Sequence, residues 1–106
     1  MSKRLVVFLL ALGVPALALA VWTPSGVVNN LYSHDGYHFI DTSIPDAPCG
    51  LAGRFWWPIT DDDAKYMFAM ATTALVTGKS ISVVYDPAAP NCLFGGQLST
   101  HMQMAR

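Results

Sequence analysis

The sequence has no glutamate, few charges and only two cysteines. Its 106 residues carry six Lys and Arg against seven Asp. No stretch is basic enough to grip a phosphate backbone or an anionic lipid surface, so composition argues against nucleic acid and membrane surfaces as partners. No CxxC pair is present, and no set of His, Cys and Asp has metal-ligand spacing. Nucleophile-elbow and oxyanion motifs are missing as well. Gly95-Gly96 is too short for a phosphate cradle and precedes a strand pattern, where a phosphate site needs a helix. No cofactor is implied, and an enzyme is the minor reading. The apolar run Leu5 to Val14 is too short for a comfortable membrane span.

What is present begins with a leader pattern. Lys3 and Arg4 precede the apolar run Leu5 to Val14, and Ala18-Leu19-Ala20 has the A-x-A form of a cleavage site. Residues 1–20 are therefore expected to be a secretory signal peptide, with an uncleaved anchor as the alternative. No cysteine follows the run, which argues against a lipoprotein. Residues 21–106 form one domain, expected to be secreted or periplasmic. They hold four bases (Arg54, Lys65, Lys79, Arg106) against seven Asp, a net charge of −3. In an exported chain the even pair Cys49 and Cys92 reads as a disulfide. A domain this small needs such a staple, and the long loop it closes is worth roughly 3–4 kcal/mol.

The segment Thr60 to Gly78 has a helical period. Ala64, Met67, Phe68, Ala71, Ala74 and Leu75 make one apolar stripe. Thr60 and Asp63 are spaced as a capping box, and Asp61 to Asp63 place negative charge at the positive end of the helix. Gly78 suits the left-handed residue that ends a helix. The rest reads as strands: 26–32 and 37–43 around the Asp35-Gly36 turn, then 54–59, 80–85 and 97–104. Loops 44–53 and 86–96 carry the two cysteines. Three strands, a helix and two strands give a mainly β chain of order β-β-β-α-β-β. That is the arrangement of a small five-stranded OB-like barrel, with a small α+β sheet as the alternative.

The helix has a second face: Tyr66, Ala69, Met70, Thr73, Val76 and Thr77. A solvated face normally carries Lys, Glu and Gln. This one predicts an oligomer interface, unless the chain covers it itself. Trp22 is expected as a lid on the core. In the strand Arg54 to Ile59, alternation sets Phe55 and Trp57 against Trp56, so at least one Trp should be exposed. Trp22, Tyr32, Tyr37, Trp56 and Trp57 supply rings on which a sugar could stack. The HDGYH segment (His34, Asp35, His38) flanks a turn and offers no third metal ligand. Asp61-Asp62-Asp63 lacks the alternating acids of a calcium loop.

Trp22-Thr23 and the helix exit Thr77-Gly78-Lys79-Ser80-Ile81, set in this order of elements, resemble the B subunits of bacterial A–B toxins of the subtilase-cytotoxin and typhoid-toxin type. The resemblance implies an OB fold, a homo-oligomer (a ring of five), and an outer surface that binds sialylated glycans. The sugar-contacting serine of those subunits would fall on Ser25, while the tyrosines that accompany it have no counterpart here; among the rings read above, Trp22 and Trp56 are the ones expected to bind the glycan with it. On this reading the chain is a non-enzymatic binding module that recognises a glycan or carries a partner chain. The alternative is a monomeric periplasmic or secreted accessory protein, such as an inhibitor or envelope factor, that binds another protein.

Overall fold

The computed structural model describes residues 21–105. The leader pattern of residues 1–20 lies outside the described residues. The element order is β1 (Val21–Trp22), β2 (Val28–His34), β3 (Tyr37–Thr42), β4 (Arg54–Pro58), α1 (Ala64–Thr77), β5 (Ser80–Tyr85), β6 (Cys92–Leu93), β7 (Gly96–Leu98) and β8 (His101–Ala105).

These strands form two sheets, β1-β5-β8 and β2-β3-β4-β7-β6. Two features join them into one barrel. β7 and β8 are halves of one strand, broken at Ser99 and Thr100. The first half pairs in parallel with β4 and the second antiparallel with β5. A bridge between Gly26 and Ile81 then returns the sheet to the start of β2. A side chain at Gly26 would come within 2.6 Å of the Ile44 backbone nitrogen, so the closure needs a residue without one. The result is a mainly β, OB-like barrel with one helix among the described residues.

The Asp-Gly signal produces the β2–β3 hairpin. Asp35 (φ 54°) and Gly36 (φ 89°) both take the left-handed conformation that a two-residue primed turn requires. The pairing puts Tyr37, Phe39 and Asp41 on one face and His38, Ile40 and Thr42 on the other. A second tight turn, Phe94 (φ 50°) and Gly95 (φ 79°), joins β6 to β7 inside the expected 86–96 loop. Phenylalanine is a poor left-handed residue, so this hairpin has no sequence signature.

Helix α1 lies against β2, β3, β5 and β8. Its buried residues Ala64, Met67, Ala71 and Ala74 join a core of Val28, Ile40, Ile44, Phe55, Trp57, Ile81, Val83 and Met102. Fully burying a side chain such as Phe55 is worth about 1.5–3 kcal/mol. The Trp57 indole N–H donates to the Ala64 carbonyl at 3.1 Å and fixes the start of the helix. Gly78 ends it at φ 76°, with its N–H donating to the Ala74 carbonyl.

Five local expectations change. The helix begins at Ala64, and Asp63 is its N-cap with no side-chain cap bond. Thr60 closes no capping box, because a turn from Asp61 to Ala64 intervenes and the Asp61 carbonyl takes the Ala64 N–H at 3.0 Å. Leu75, expected in the core stripe, is 39% exposed, while its neighbour Ala74 is fully buried. Trp22 is no lid: it is 45% exposed. Trp56 and Trp57, of which one was expected outside, are both buried, because the β6–β7 hairpin covers the outer side of β4.

Candidate functional site: a closed strand face and an open groove

The barrel offers two surfaces that could bind a ligand. The first is the outer face of β2, β3 and β4. Register places Tyr32, Phe39 and Trp56 in one row across it, and His34 with Tyr37 in the next. OB folds take oligonucleotides and oligosaccharides on such a face, between the loops that flank it.

Here that face is shut by its own chain. The Phe94 ring lies 5.9 Å from Phe39 and 5.5 Å from His34, centroid to centroid. The 86–96 segment thus meets the β2–β3 turn across the cleft. Tyr32 stacks on Phe39 at 5.2 Å with the rings 5° from parallel. The Trp56 indole N–H donates to the carbonyls of Gly96 and Asn91. Phe39 and Trp56 are buried, and Phe94 takes the solvent in their place.

Arg54 fastens the closure. Its guanidinium makes a two-point contact with Asp41, 2.7 Å from Nε to Oδ1 and 3.3 Å from Nη2 to Oδ2. Donating to the Asp41 carboxylate holds the guanidinium still more firmly in its charged form. Its Nη1 donates to the Phe94 carbonyl at 2.9 Å. Cys92 at the foot of the hairpin is joined to Cys49 in the 44–53 loop. The one Arg or Lys on this face therefore serves closure, with three of its five N–H donors engaged.

The second surface is open. A groove of about 370 Å³ runs between the first half of α1 and strand β8. Ligand pockets typically hold about 300–1,000 Å³. Met67, Met70 and Met102 form its apolar lining, and Asp63 is the carboxylate at its edge. Trp22, Tyr66 and His101 bring three rings to it, and all three are exposed. Trp22, Val84 and His101 share a row across β1, β5 and β8, and the Trp22 and His101 rings meet edge to face at 6.3 Å.

The second helix face continues from this groove. Tyr66 is 62% exposed and Val76 78% exposed, and Ala69, Thr73 and Thr77 are exposed as well. The Thr73 and Thr77 hydroxyls donate back to the carbonyls of Ala69 and Thr73. Spent on the helix itself, they leave the face little hydrogen-bonding capacity.

The residues expected to bind a sugar do not come together. Trp22 lines the groove, Trp56 is buried beneath the β6–β7 hairpin, and Ser25 is exposed on the segment before β2. His34 and His38 stand on opposite faces of the hairpin, because they oppose Tyr37 and Ser33. His38 turns inward, with its ring 4.4 Å from Phe68, and burial lowers its pKa. Phe94, His101 and Gln103 were not singled out in the sequence. The alternation around Met102 and Met104 could have exposed His101 and Gln103, but nothing local marks Phe94.

No protein-family model and no curated protein matches the chain. Among solved structures the chain is similar to one in the crystal structure of the Stn1–Ten1 complex of S. pombe. The identity is 19%, the match covers 80% of this chain and 58% of the other, and the TM-score is 0.50. This chain thus spans a little over half the length of that neighbour. The likeness carries the OB-like fold.

It also corrects the toxin resemblance. The neighbour is a chain of a yeast complex of two different proteins, and no bacterial toxin B subunit is found. The toxin-like, glycan-binding ring falls with the resemblance, and so does the alternative of a secreted accessory inhibitor or envelope factor. The homo-oligomer falls too, since the neighbour is heteromeric. The exclusion of nucleic acid is withdrawn: it rested on net charge alone, while an OB fold's strand face can hold oligonucleotides by stacking.

Proposed function

We propose that this chain is a non-enzymatic OB-fold module that assembles with a different polypeptide through the groove between α1 and β8. The observation that carries this reading is the exposure of Trp22 and Tyr66 beside a methionine-lined groove, on a chain that buries its other two tryptophans. Exposed aromatic surface is what partner-binding sites are enriched in. The adjoining uncharged helix face enlarges the available area. The Cys49–Cys92 bond suits an oxidising compartment, so export remains part of the proposal.

The test is the composition of the native species, isolated under mild conditions from the cells that make it. The expected species contains a second kind of chain, and Tyr66→Asp releases a folded monomer while Phe94→Ala leaves the complex intact. A native monomer, or a complex indifferent to Tyr66, overturns the proposal.

One observation favours a second reading. Tyr32, His34, Tyr37 and Phe94 are rings on the face where OB folds stack single-stranded nucleic acid. It requires Phe94 to swing away, and then Phe94→Ala strengthens binding of a short oligothymidine. No binding by either form removes this reading.

A further inference from the structure

The groove has a charge preference as well as an apolar lining. Asp63 stands at its edge, and none of the residues that line it is Lys or Arg. Asp61 and Asp62 are exposed just ahead of Asp63. The Asp63 side chain makes no capping hydrogen bond to the helix, so its carboxylate is not spent on the fold. Trp22, Tyr66 and His101 come from three different elements and all face the same space. Aromatic faces attract organic cations, Trp most strongly, and rings set around an ammonium form the recognised cage for such a group. Tyr66 already draws one: the Lys65 ammonium lies 5.6 Å from its ring centroid.

We infer that the groove accepts a basic side chain, lysine or arginine, presented by the partner polypeptide. The cation sits between the Trp22 and Tyr66 rings with its charge toward Asp63. The alkyl stem lies on Met67, Met70 and Met102, as long basic side chains do on apolar surface. This inference rests on the proposed partner docking and names the chemistry that the partner must bring. It accounts for an acidic edge on an otherwise apolar groove, which a purely hydrophobic partner would not need.

The experiment uses the full disulfide-bonded chain and follows the Trp22 indole resonance by NMR. The probes are capped tripeptides Gly-Lys-Gly, Gly-norleucine-Gly and Gly-Glu-Gly, with choline as a free ammonium. The lysine peptide is expected to shift Trp22 and to bind about fivefold to tenfold more tightly than the norleucine peptide. Asp63→Asn removes that advantage, and an asparagine N-cap keeps the helix start. Lys65→Met strengthens binding about twofold by freeing the Tyr66 face. Norleucine binding as tightly as lysine overturns the inference and leaves the docking reading standing. Choline matching the lysine peptide also overturns it, because the site then belongs to a free ammonium. If no probe shifts Trp22, the inference fails, and the groove reading stands or falls on the native complex and its response to Tyr66→Asp.

Discussion

The strand face and the helix groove are built from the same kinds of residue and end in opposite states. On the strand face Phe39 and Trp56 are covered by the chain's own β6–β7 hairpin. In the groove Trp22 and Tyr66 are left open. The difference lies in what each surface is tied to. The hairpin is held by the Cys49–Cys92 bond, by Arg54 bridging Asp41 and Phe94, and by the Trp56 indole. No such strap crosses the groove among the described residues. Aromatic content alone does not locate a binding surface; the tethering of the neighbouring loop decides which rings reach solvent.

Substitutions at the two kinds of tryptophan should differ most. Trp57→Ala removes a fully buried ring and the hydrogen bond to Ala64, and should cost about 3–5 kcal/mol in denaturant unfolding. Trp22→Ala should cost less than about 1 kcal/mol, since that ring is half exposed. Equal losses would mean that Trp22 is core and the groove is not open.

Removing the strap should be nearly as large an effect. Reduction, or Cys49→Ser with Cys92→Ser, opens a bond that spans 43 residues of sequence. The expected loss is roughly 3–4 kcal/mol. Amide exchange should rise at Phe39 and Trp56 and stay unchanged along α1. A rise confined to α1 would contradict the strap.

Phe94→Ala should cost about 1 kcal/mol. It loses the ring contacts with His34 and Phe39 and keeps a residue with a Cβ at φ 50°. Phe94→Gly should recover part of that loss by relieving the left-handed backbone. A glycine variant less stable than the alanine one would show that strain is not stored there.

The smallest effects are in pH. His38 has its pKa lowered below 6.5 by burial, so the unfolded chain binds the proton more readily. Stability from this group is complete above pH 6.5 and falls as pH drops below it. Burial and then the hydrogen bond to Asp46 push Tyr85 up to about 12 from 10.0. Its contribution is complete below pH 10 and is lost as pH rises toward 12. His38→Phe should flatten the acid limb of a thermal-stability profile. An unchanged limb would assign the acid sensitivity elsewhere.

The barrel was largely legible in the sequence because its signals are local. Asp35-Gly36 dictates a primed turn, the 64–75 periodicity dictates a helix, and Gly78 ends it. The candidate site was legible only in part. Tyr66 and Met70 stood out because a helix period exposes an outer face. His101 and Gln103 reach the groove only through the break at Ser99 and Thr100, where one strand changes sheets. The closed face was hidden for a similar reason: Phe94 covers it from a turn that carries a residue poorly suited to that conformation. Trp56 and Ser25 were expected in one glycan site, Ser25 through a resemblance and Trp56 as an aromatic, and the fold separates them.

If partners meet the groove and leave the strand face alone, positions 66 and 94 should differ in what they touch. A photo-crosslinking residue placed at position 66 in one form and at position 94 in another, each in the native cells, tests it most directly. The expected result is a defined crosslink to a different polypeptide from position 66, lost with Asp63→Lys, and none from position 94. A crosslink from position 94 to a polypeptide or a nucleic acid, with position 66 silent, would contradict it.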